Sequence, residues 1–234
     1  MTGEKQKGLL AIWTDVDPDF RIEFQKWHNC EHITDRITLP GFFVGRRYQG
    51  TGDAPTFLMC YETDDASVLA SEPYLHAVNN PTPWSKKVIP RSKNLVRAIY
   101  SLLFSEGEKP LTEAPHLILI KFNIDTGNEE ANLKGIREGW LPKSCRIPGV
   151  HRGRLYRVDE NVSLIQTAER KIHGGGPGQQ KYLAFFEVAA PDVAETSAWQ
   201  NHIMEVESSN GKMNGIRDVR YQSYWLDFVM YSPR

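Results

Sequence analysis

The sequence predicts an α+β fold: two fused ferredoxin-like βαββαβ repeats that close into one intramolecular α+β barrel. Three observations carry this. Leu10-Ala11-Ile12 reads like Ile118-Leu119-Ile120, and Asp17 like Asp125, at a constant offset of 108 residues. Pro40-Gly41 then meets Pro148-Gly149, and Gly45-Arg46-x-Tyr48 meets Gly153-Arg154-x-Tyr156, still 108 apart. Beyond this the offset becomes 125, because Phe57-Leu58 through Tyr61-Glu62 matches Tyr182-Leu183 through Phe186-Glu187; the second copy therefore carries 17 more residues. Self-similarity at a fixed spacing is read before any single element, since it sets the architecture.

In the first copy, the apolar run Leu9–Thr14 has strand length and precedes the Asp/Pro-rich turn Asp15–Asp19. Asp17 or Asp19 can cap the helix that follows, and Pro18 suits its first turn. That helix is expected over Asp19–Arg36, ended by Pro40-Gly41. Two strands, Phe43–Gln49 and Thr56–Glu62, flank the hairpin turn Gly50–Pro55. A second helix starts near Asp64-Asp65 and runs to Val78, a Pro-rich excursion covers Asn79–Pro90, and a last strand spans Arg97–Phe104. The order is βαββαβ. The second copy reads 116–123, 127–141, 151–158, 181–188, 191–205 and 221–230. Residues 1–104 thus form the first repeat and 105–114 a linker rich in Glu and Pro; 115–234 form a degenerate second repeat with a Gly-rich insert at about 157–180. Each unit covers one sheet face with helices and leaves the other bare, so two units bury their bare faces against each other as a pseudo-dimer. Further homodimerisation is left open.

Composition narrows the function classes. Of 234 residues, 40% are hydrophobic and 24% charged, which excludes wholesale disorder. Lys+Arg number 28 and Asp+Glu 29, a net charge of −1, so no nucleic-acid partner is expected. No apolar run approaches the ~20 residues of a membrane span. The polar Met1–Lys7 stretch is no secretory signal, and three scattered cysteines encode no disulfide framework. The expectation is a soluble cytoplasmic protein.

The first long helix carries the candidate chemistry. At about 100° per residue, Phe20, Phe24, Trp27 and Glu31 share one stripe that must face the sheet, with Asp35 close to it and His28 and His32 on its flank. An inward carboxylate is costly unless paired or protonated, and burial raises its pKa while favouring neutral histidine. Glu31 with His28 or His32 can therefore move a proton near neutral pH. Glu31 can equally lock helix to sheet by accepting from Arg46, Arg47 or a tyrosine. His28-x-x-Glu31-His32 also matches the short H-x-x-E-H zinc pattern, but a third ligand is lacking and no metal site is assigned. Cys30 beside the histidines is a weaker nucleophile candidate. Arg46 and Tyr48 share a strand face and can stabilise developing negative charge, although their recurrence as Arg154 and Tyr156 equally fits a structural role; Arg47 faces the other side. Trp13, Trp27, Asp35, His76 and Trp84 complete the set as substrate-binding candidates.

In the second copy Trp27, His28, Glu31 and His32 align with Gly135, Ile136, Gly139 and Trp140, which leaves one working site per chain, in the first half. The two glycines leave room for a ligand or a closely packed neighbour. The segment Gly174–Gly178 lacks the Gly-Lys-Ser/Thr ending of a phosphate loop and reads as a disordered surface insert or a loop over a pocket mouth.

Trp27-His28-Asn29-x-Glu31-His32, Asp35-Arg36, Pro40-Gly41-Phe42, Arg46-Arg47-Tyr48 and Asn80-Pro81-Thr82-Pro83-Trp84 together resemble the dimeric α+β barrel superfamily, in particular its EthD-like branch. The resemblance implies a ligand pocket between sheet and helices, and members include cofactor-free monooxygenases, isomerases, cyclases, dehydratases and haem proteins. The expected function is cofactor-independent proton-transfer chemistry (lyase, isomerase, cyclase or decarboxylase) on a small apolar, aromatic or polyketide-like molecule. The alternatives are a haem-binding or cofactor-free oxygenase using His28, His32 or His76, and a non-catalytic small-molecule-binding module.

Overall fold

The computed structural model describes residues 7–207 and 213–233; the first six residues of the polar N-terminal stretch lie outside it. Strand β1 (Gly8–Asp15) leads through a single turn of 3-10 helix, Pro18–Phe20, into α1 (Arg21–Trp27), a π-helical segment His28–His32, and α2 (Ile33–Ile37). Then come β2 (Phe42–Thr51) and β3 (Phe57–Thr63), α3 (Glu72–Asn79), α4 (Pro83–Val88) and the long β4 (Lys93–Gly107). The second half repeats this with β5 (His116–Ile124), α5 (Glu129–Gly135), a π-helical segment Ile136–Trp140, α6 (Leu141–Ser144) and β6 (Val150–Val158). Two insert helices follow, α7 (Glu160–Ser163) and α8 (Ala168–His173), then β7 (Tyr182–Val188), α9 (Ser197–Glu207) and β8 (Ile216–Tyr231).

The eight strands form one closed antiparallel barrel in the order β1-β3-β2-β8-β5-β7-β6-β4. Within each half the order is the same, β4-β1-β3-β2 and β8-β5-β7-β6, and β2–β8 and β4–β6 pairings join the halves. Closure removes free sheet edges, which would otherwise invite intermolecular pairing. Alternation along each strand assigns its side chains to two cores. Leu9, Ala11 and Trp13 point into the barrel with Tyr48, Tyr156 and Phe185. Leu10 and Ile12 point outward to the helices of the first half, and Ile118 and Ile120 to those of the second. Burial of both faces is why Leu9–Trp13 is an unbroken apolar run.

The recurring Pro-Gly and Gly-Arg pairs have physical reasons. Gly41 and Gly149 have φ of +84° and +88°, a region that disfavours side chains. Gly45 and Gly153 let a helix lie flat on the sheet: an added Cβ would sit 2.8 Å from Ile33 at the first and 2.9 Å from Leu141 at the second.

Several boundaries differ from the sequence expectation. β4 runs through Gly107, three residues into the expected linker, because Ser105, Glu106 and Gly107 pair with Arg154, Gly153 and Arg152 of β6. The Pro-rich excursion contains α4, whose start is capped by Thr82 accepting from the Ser85 amide at 3.0 Å. The insert is ordered rather than an unstructured surface loop. Asp159 and Thr167 cap α7 and α8, and the Arg97 amide donates to the Gly176 carbonyl at 2.8 Å. Gly135 and Gly139 face open space, with nothing within 4 Å of an added Cβ, so no packed neighbour accounts for them. Among the described residues, no helix is long and apolar enough to cross a membrane.

Candidate active site between sheet and helices

The π-helical turn decides which side chains reach the interior. An α-helix carries about 3.6 residues per turn, whereas a π turn holds more and shifts the phase of everything after it. His28 and His32 are therefore the buried members of the segment, fully and 94% covered, and Trp27 is buried beside them. Glu31 is turned away from the sheet. It is half-buried against α4, where its carboxylate accepts from Thr82 Oγ1 at 2.5 Å and Ser85 Oγ at 3.3 Å. The inward stripe inferred for Glu31 assumed an unbroken α-helix, and that assumption fails at the π turn.

Beside His32 lies a cavity enclosing about 40 Å³. Leu10 and Ile12 of β1 and Met59 and Tyr61 of β3 form its floor; Phe24, Trp27, His32 and Arg36 its helical wall; Tyr74, Arg97, Glu169 and His173 its polar rim. Two of these, Glu169 and His173, belong to α8, so the insert of the second half covers the cavity of the first. Arg36 donates through Nη2 to Glu169 Oε1 at 2.5 Å, and the α8 amide of Ala168 donates to Asn79 Oδ1 at 2.9 Å. Burial raises the Glu169 carboxyl against the pull of Arg36, whereas the Arg36 guanidinium is held above its ordinary value by Glu169.

A buried hydrogen-bond chain fixes the state of His28. Arg47 Nη1 lies 3.0 Å from His28 Nδ1, and its Nε donates to Asp227 Oδ2 at 2.6 Å. Arginine only donates, so Nδ1 must accept and the ring proton sits on Nε2. That Nε2–H donates to Tyr61 Oη at 3.0 Å. The Tyr61 hydroxyl proton then has no acceptor among the described residues and is available at the cavity wall. Burial, reinforced by Arg47, holds His28 well below the ordinary histidine range; burial also lifts Tyr61 above the ordinary phenol range, so it stays protonated.

His32 is the contrasting group. Its ring lies 4.3 Å from that of Trp27, and its Nδ1 is buried with no hydrogen-bond partner. Burial, then Arg36 and His28, lower its pKa well below the ordinary value, so it is neutral at pH 7. An unpartnered buried nitrogen costs about 1–3 kcal/mol, an expense a packed core would have removed.

Of the other expected residues, only Trp27 lines this cavity. Arg46, Tyr48 and Trp13 point into the barrel, on the opposite sheet face; Arg47, set aside as facing the other way, is the one that reaches His28. Asp35 lines a separate shallow hollow with Thr82. His76 is exposed on α3. Trp84 is half-buried and donates to Glu23 at 3.0 Å, and Trp27 lines the cavity while donating to Ser85 at 3.1 Å. Cys30 is exposed. Both His28 nitrogens are engaged, so the H-x-x-E-H pattern has no free pair of histidine nitrogens on one face. Tyr61, Arg36, Tyr74, Arg97, Glu169 and His173 were missed as site residues. Arg36 gave a signal as a basic residue on the helical segment that carries the candidate histidines; α8 gave none.

In the second half the equivalent space is filled. Trp140, in the place of His32, stacks on His202 at 5.4 Å and meets Phe186, in the place of Tyr61, edge-on at 5.4 Å. A wider cleft of about 790 Å³ lies elsewhere, lined by Arg157, Lys181 and Arg217. It is solvent-exposed, and those three cations are already paired with Glu129, Glu160 and Asp125.

No family model and no curated protein sequence matches the chain. Solved structures do match it. An anthrone oxidase-like protein superposes with TM-score 0.65 at 9% identity, covering 99% of this chain and 95% of that one. A candidate monooxygenase from Fusobacterium nucleatum gives 0.62 at 11%, covering 97% and 95%. A variant chlorite dismutase from Candidatus Nitrospira defluvii gives 0.53 at 10%, covering 96% and 92%. At these identities the likeness is one of fold, an eight-stranded antiparallel barrel flanked by helices and closed here by a single chain.

Proposed function

We propose that the chain is an enzyme that removes a proton from a small, largely apolar carbonyl or hydroxyaromatic compound held between α1, β3 and α8. His32 takes the proton as general base, and Tyr61 donates its hydroxyl hydrogen to the oxygen on which negative charge collects. His28 and Arg47 act through Tyr61, as positioning residues. The observation that carries this reading is a neutral, unpartnered His32 lining the same cavity as a Tyr61 whose own proton is free. The product of the step is an enolate or phenolate, the common intermediate of isomerases, cyclases and decarboxylases. Glu31 holds α4 to the helix in this scheme. The free volume admits no such substrate while α8 is closed, so binding requires Arg36 and Glu169 to part.

A second reading shares the first step. The same carbanion can pass an electron to dioxygen, as the names of the anthrone oxidase-like and monooxygenase neighbours suggest. Both His28 nitrogens are engaged, so a haem iron would fall to His32, and the closed cavity of about 40 Å³ would have to open for a haem as it must for the substrate. The EthD-like likeness belongs to this proposal and rests on the motifs in residues 27–84. So does the duplication of ferredoxin-like units, supported by the repeated strand order and the paired π turns.

The test follows deuterium wash-in in D₂O, under argon and then under oxygen, at the ring methylene opposite the carbonyl of anthrone-type ketones and at the carbon next to the carbonyl of simpler aryl alkyl ketones. Wild type should exchange, Tyr61→Phe should lose about 100- to 1,000-fold, and His32→Gln should fall to background. Exchange by His32→Gln at the wild-type rate would refute the assignment. Oxygen uptake with the same ketones decides for the second reading.

A further inference from the structure

One end of the barrel holds a charged constellation that proton transfer at His32 does not use. Arg46 and Arg154, 108 residues apart, occupy equivalent positions on β2 and β6. Both donate through Nη1 to the same carboxylate oxygen, Glu62 Oε1, at 2.7 and 2.9 Å. Their other edges differ. Nε and Nη2 of Arg46 grip the Glu113 carboxylate side-on, at 2.6 and 3.2 Å. Nε and Nη2 of Arg154 are buried with no hydrogen-bond partner. The nearby Glu187 is held on both oxygens by Arg152 and faces Arg154 Nη2 only as an ion pair at 3.7 Å, beyond hydrogen-bond distance.

The Arg154 side chain is 4% exposed, and its guanidinium is steadied over the Phe185 ring at 4.6 Å. It lines a solvent-open cavity of about 350 Å³ together with Arg46, Arg152, Lys109 and Glu62. Five cations (Lys7, Arg46, Lys109, Arg152 and Arg154) meet three carboxylates (Glu62, Glu113 and Glu187), so two positive charges are unmatched. Phe43, Leu102 and Tyr231 supply apolar wall. The volume falls at the small end of ligand sites, about 300–1,000 Å³.

We propose that this barrel-end cavity binds a small carboxylate with a compact apolar body, taken side-on by Nε and Nη2 of Arg154 as Glu113 is taken by Arg46. Planar bidentate pairing favours a carboxylate on such a fork, and the apolar wall favours an aryl or short alkyl acid. The site lies on the opposite sheet face from His32, so it stands apart from the catalytic reading.

Benzoate is the probe, with the full chain melted in a benzoate series against sodium chloride and inorganic phosphate at matched ionic strength. The melting midpoint should rise saturably with benzoate alone. Arg154→Lys keeps the charge and removes the fork, and should weaken the apparent benzoate affinity about tenfold or more. Ser105→Glu is the second variant. Ser105 lines the cavity and pairs directly across from Arg154 on β4, so the new carboxylate reaches the fork from within the chain. It should raise the midpoint without benzoate and abolish the response to it, and it decides the matter if Arg154→Lys does not fold. No benzoate-specific rise in wild type, a rise with phosphate in place of benzoate, or a full response in Ser105→Glu would overturn the proposal.

Discussion

Neutrality of His32 in the folded chain has a thermodynamic signature that needs no substrate. His28 and His32 are both buried and both held well below the ordinary histidine range, chiefly by desolvation. In the unfolded chain each would bind a proton near pH 6.5. Below that pH the unfolded state therefore holds more protons than the folded one, and stability falls as pH falls. Above it neither state is charged at these sites and the full stability is present. Integrated from about pH 7.5 to 5.5, each permanently neutral histidine contributes a loss of about 1.4 kcal/mol, so the pair contributes about 2.7 kcal/mol. His173, pushed down to about 4 by burial and Arg97, adds nearly the whole of a third such loss over this range. Asp35 and Glu169, raised by burial, act in the opposite sense below pH 6. Comparison with His32→Gln cancels these shared contributions and leaves His32 alone. Urea unfolding at the two pH values should show the variant losing about 1.4 kcal/mol less than wild type. Equal losses would mean that His32 is protonated in the fold, and a protonated imidazole is no base.

Three further outcomes follow from particular contacts. Arg36→Met alone leaves the Glu169 carboxylate buried without its partner and should cost about 3–5 kcal/mol, whereas Arg36→Met/Glu169→Met should lie near wild type; chemical denaturation of the two variants measures the difference. Gly135→Ala meets open space in a helical conformation and should stabilise the chain by about 1 kcal/mol, read as a higher denaturation midpoint. Glu31→Gln should cost about 1 kcal/mol through weaker acceptance from Thr82 and Ser85, with deuterium wash-in unchanged; a large loss of exchange would return Glu31 to the chemistry.

The barrel was legible because its information is periodic. A constant offset of 108 residues, unbroken apolar strands and Pro-Gly breaks each recur, and each has a local cause such as the positive φ of Gly41 and Gly149. The site was legible only as far as the segment that carries it. His28 and His32 were found as types, but their orientation depends on a π turn, and an ideal helical wheel cannot show a change of phase. The same error exchanged the roles of Glu31 and the histidines. Arg46 and Tyr48 were placed on the right strand and on the wrong side of the sheet for a helix-covered pocket, because alternation gives two faces without saying which one meets α1. Glu169 and His173 lie more than 130 residues from His32. Only the closure of the barrel through β4 and β6 brings α8 over the first half, and no local pattern encodes that.

The two halves share a strand order, a π turn and a helix-bearing glycine, yet one keeps a cavity and the other fills it. The difference lies in a few large side chains. Trp140 occupies the place of His32, Phe186 that of Tyr61 and Trp199 that of Tyr74, and together they complete an apolar core. Replacing a polar cluster with packed aromatics removes desolvation cost and raises stability. The first half carries that cost in His28, His32, Arg36 and Arg47, and its cover comes from the half whose equivalent space is filled. α8 belongs to the insert and lies over the first-half cavity because β6, the strand before it, pairs with β4. Two halves of one strand order, with one covered polar cluster and one filled apolar core, place the proposed chemistry in the first half. That is the physical sense in which its polar residues are an expense rather than an accident of packing.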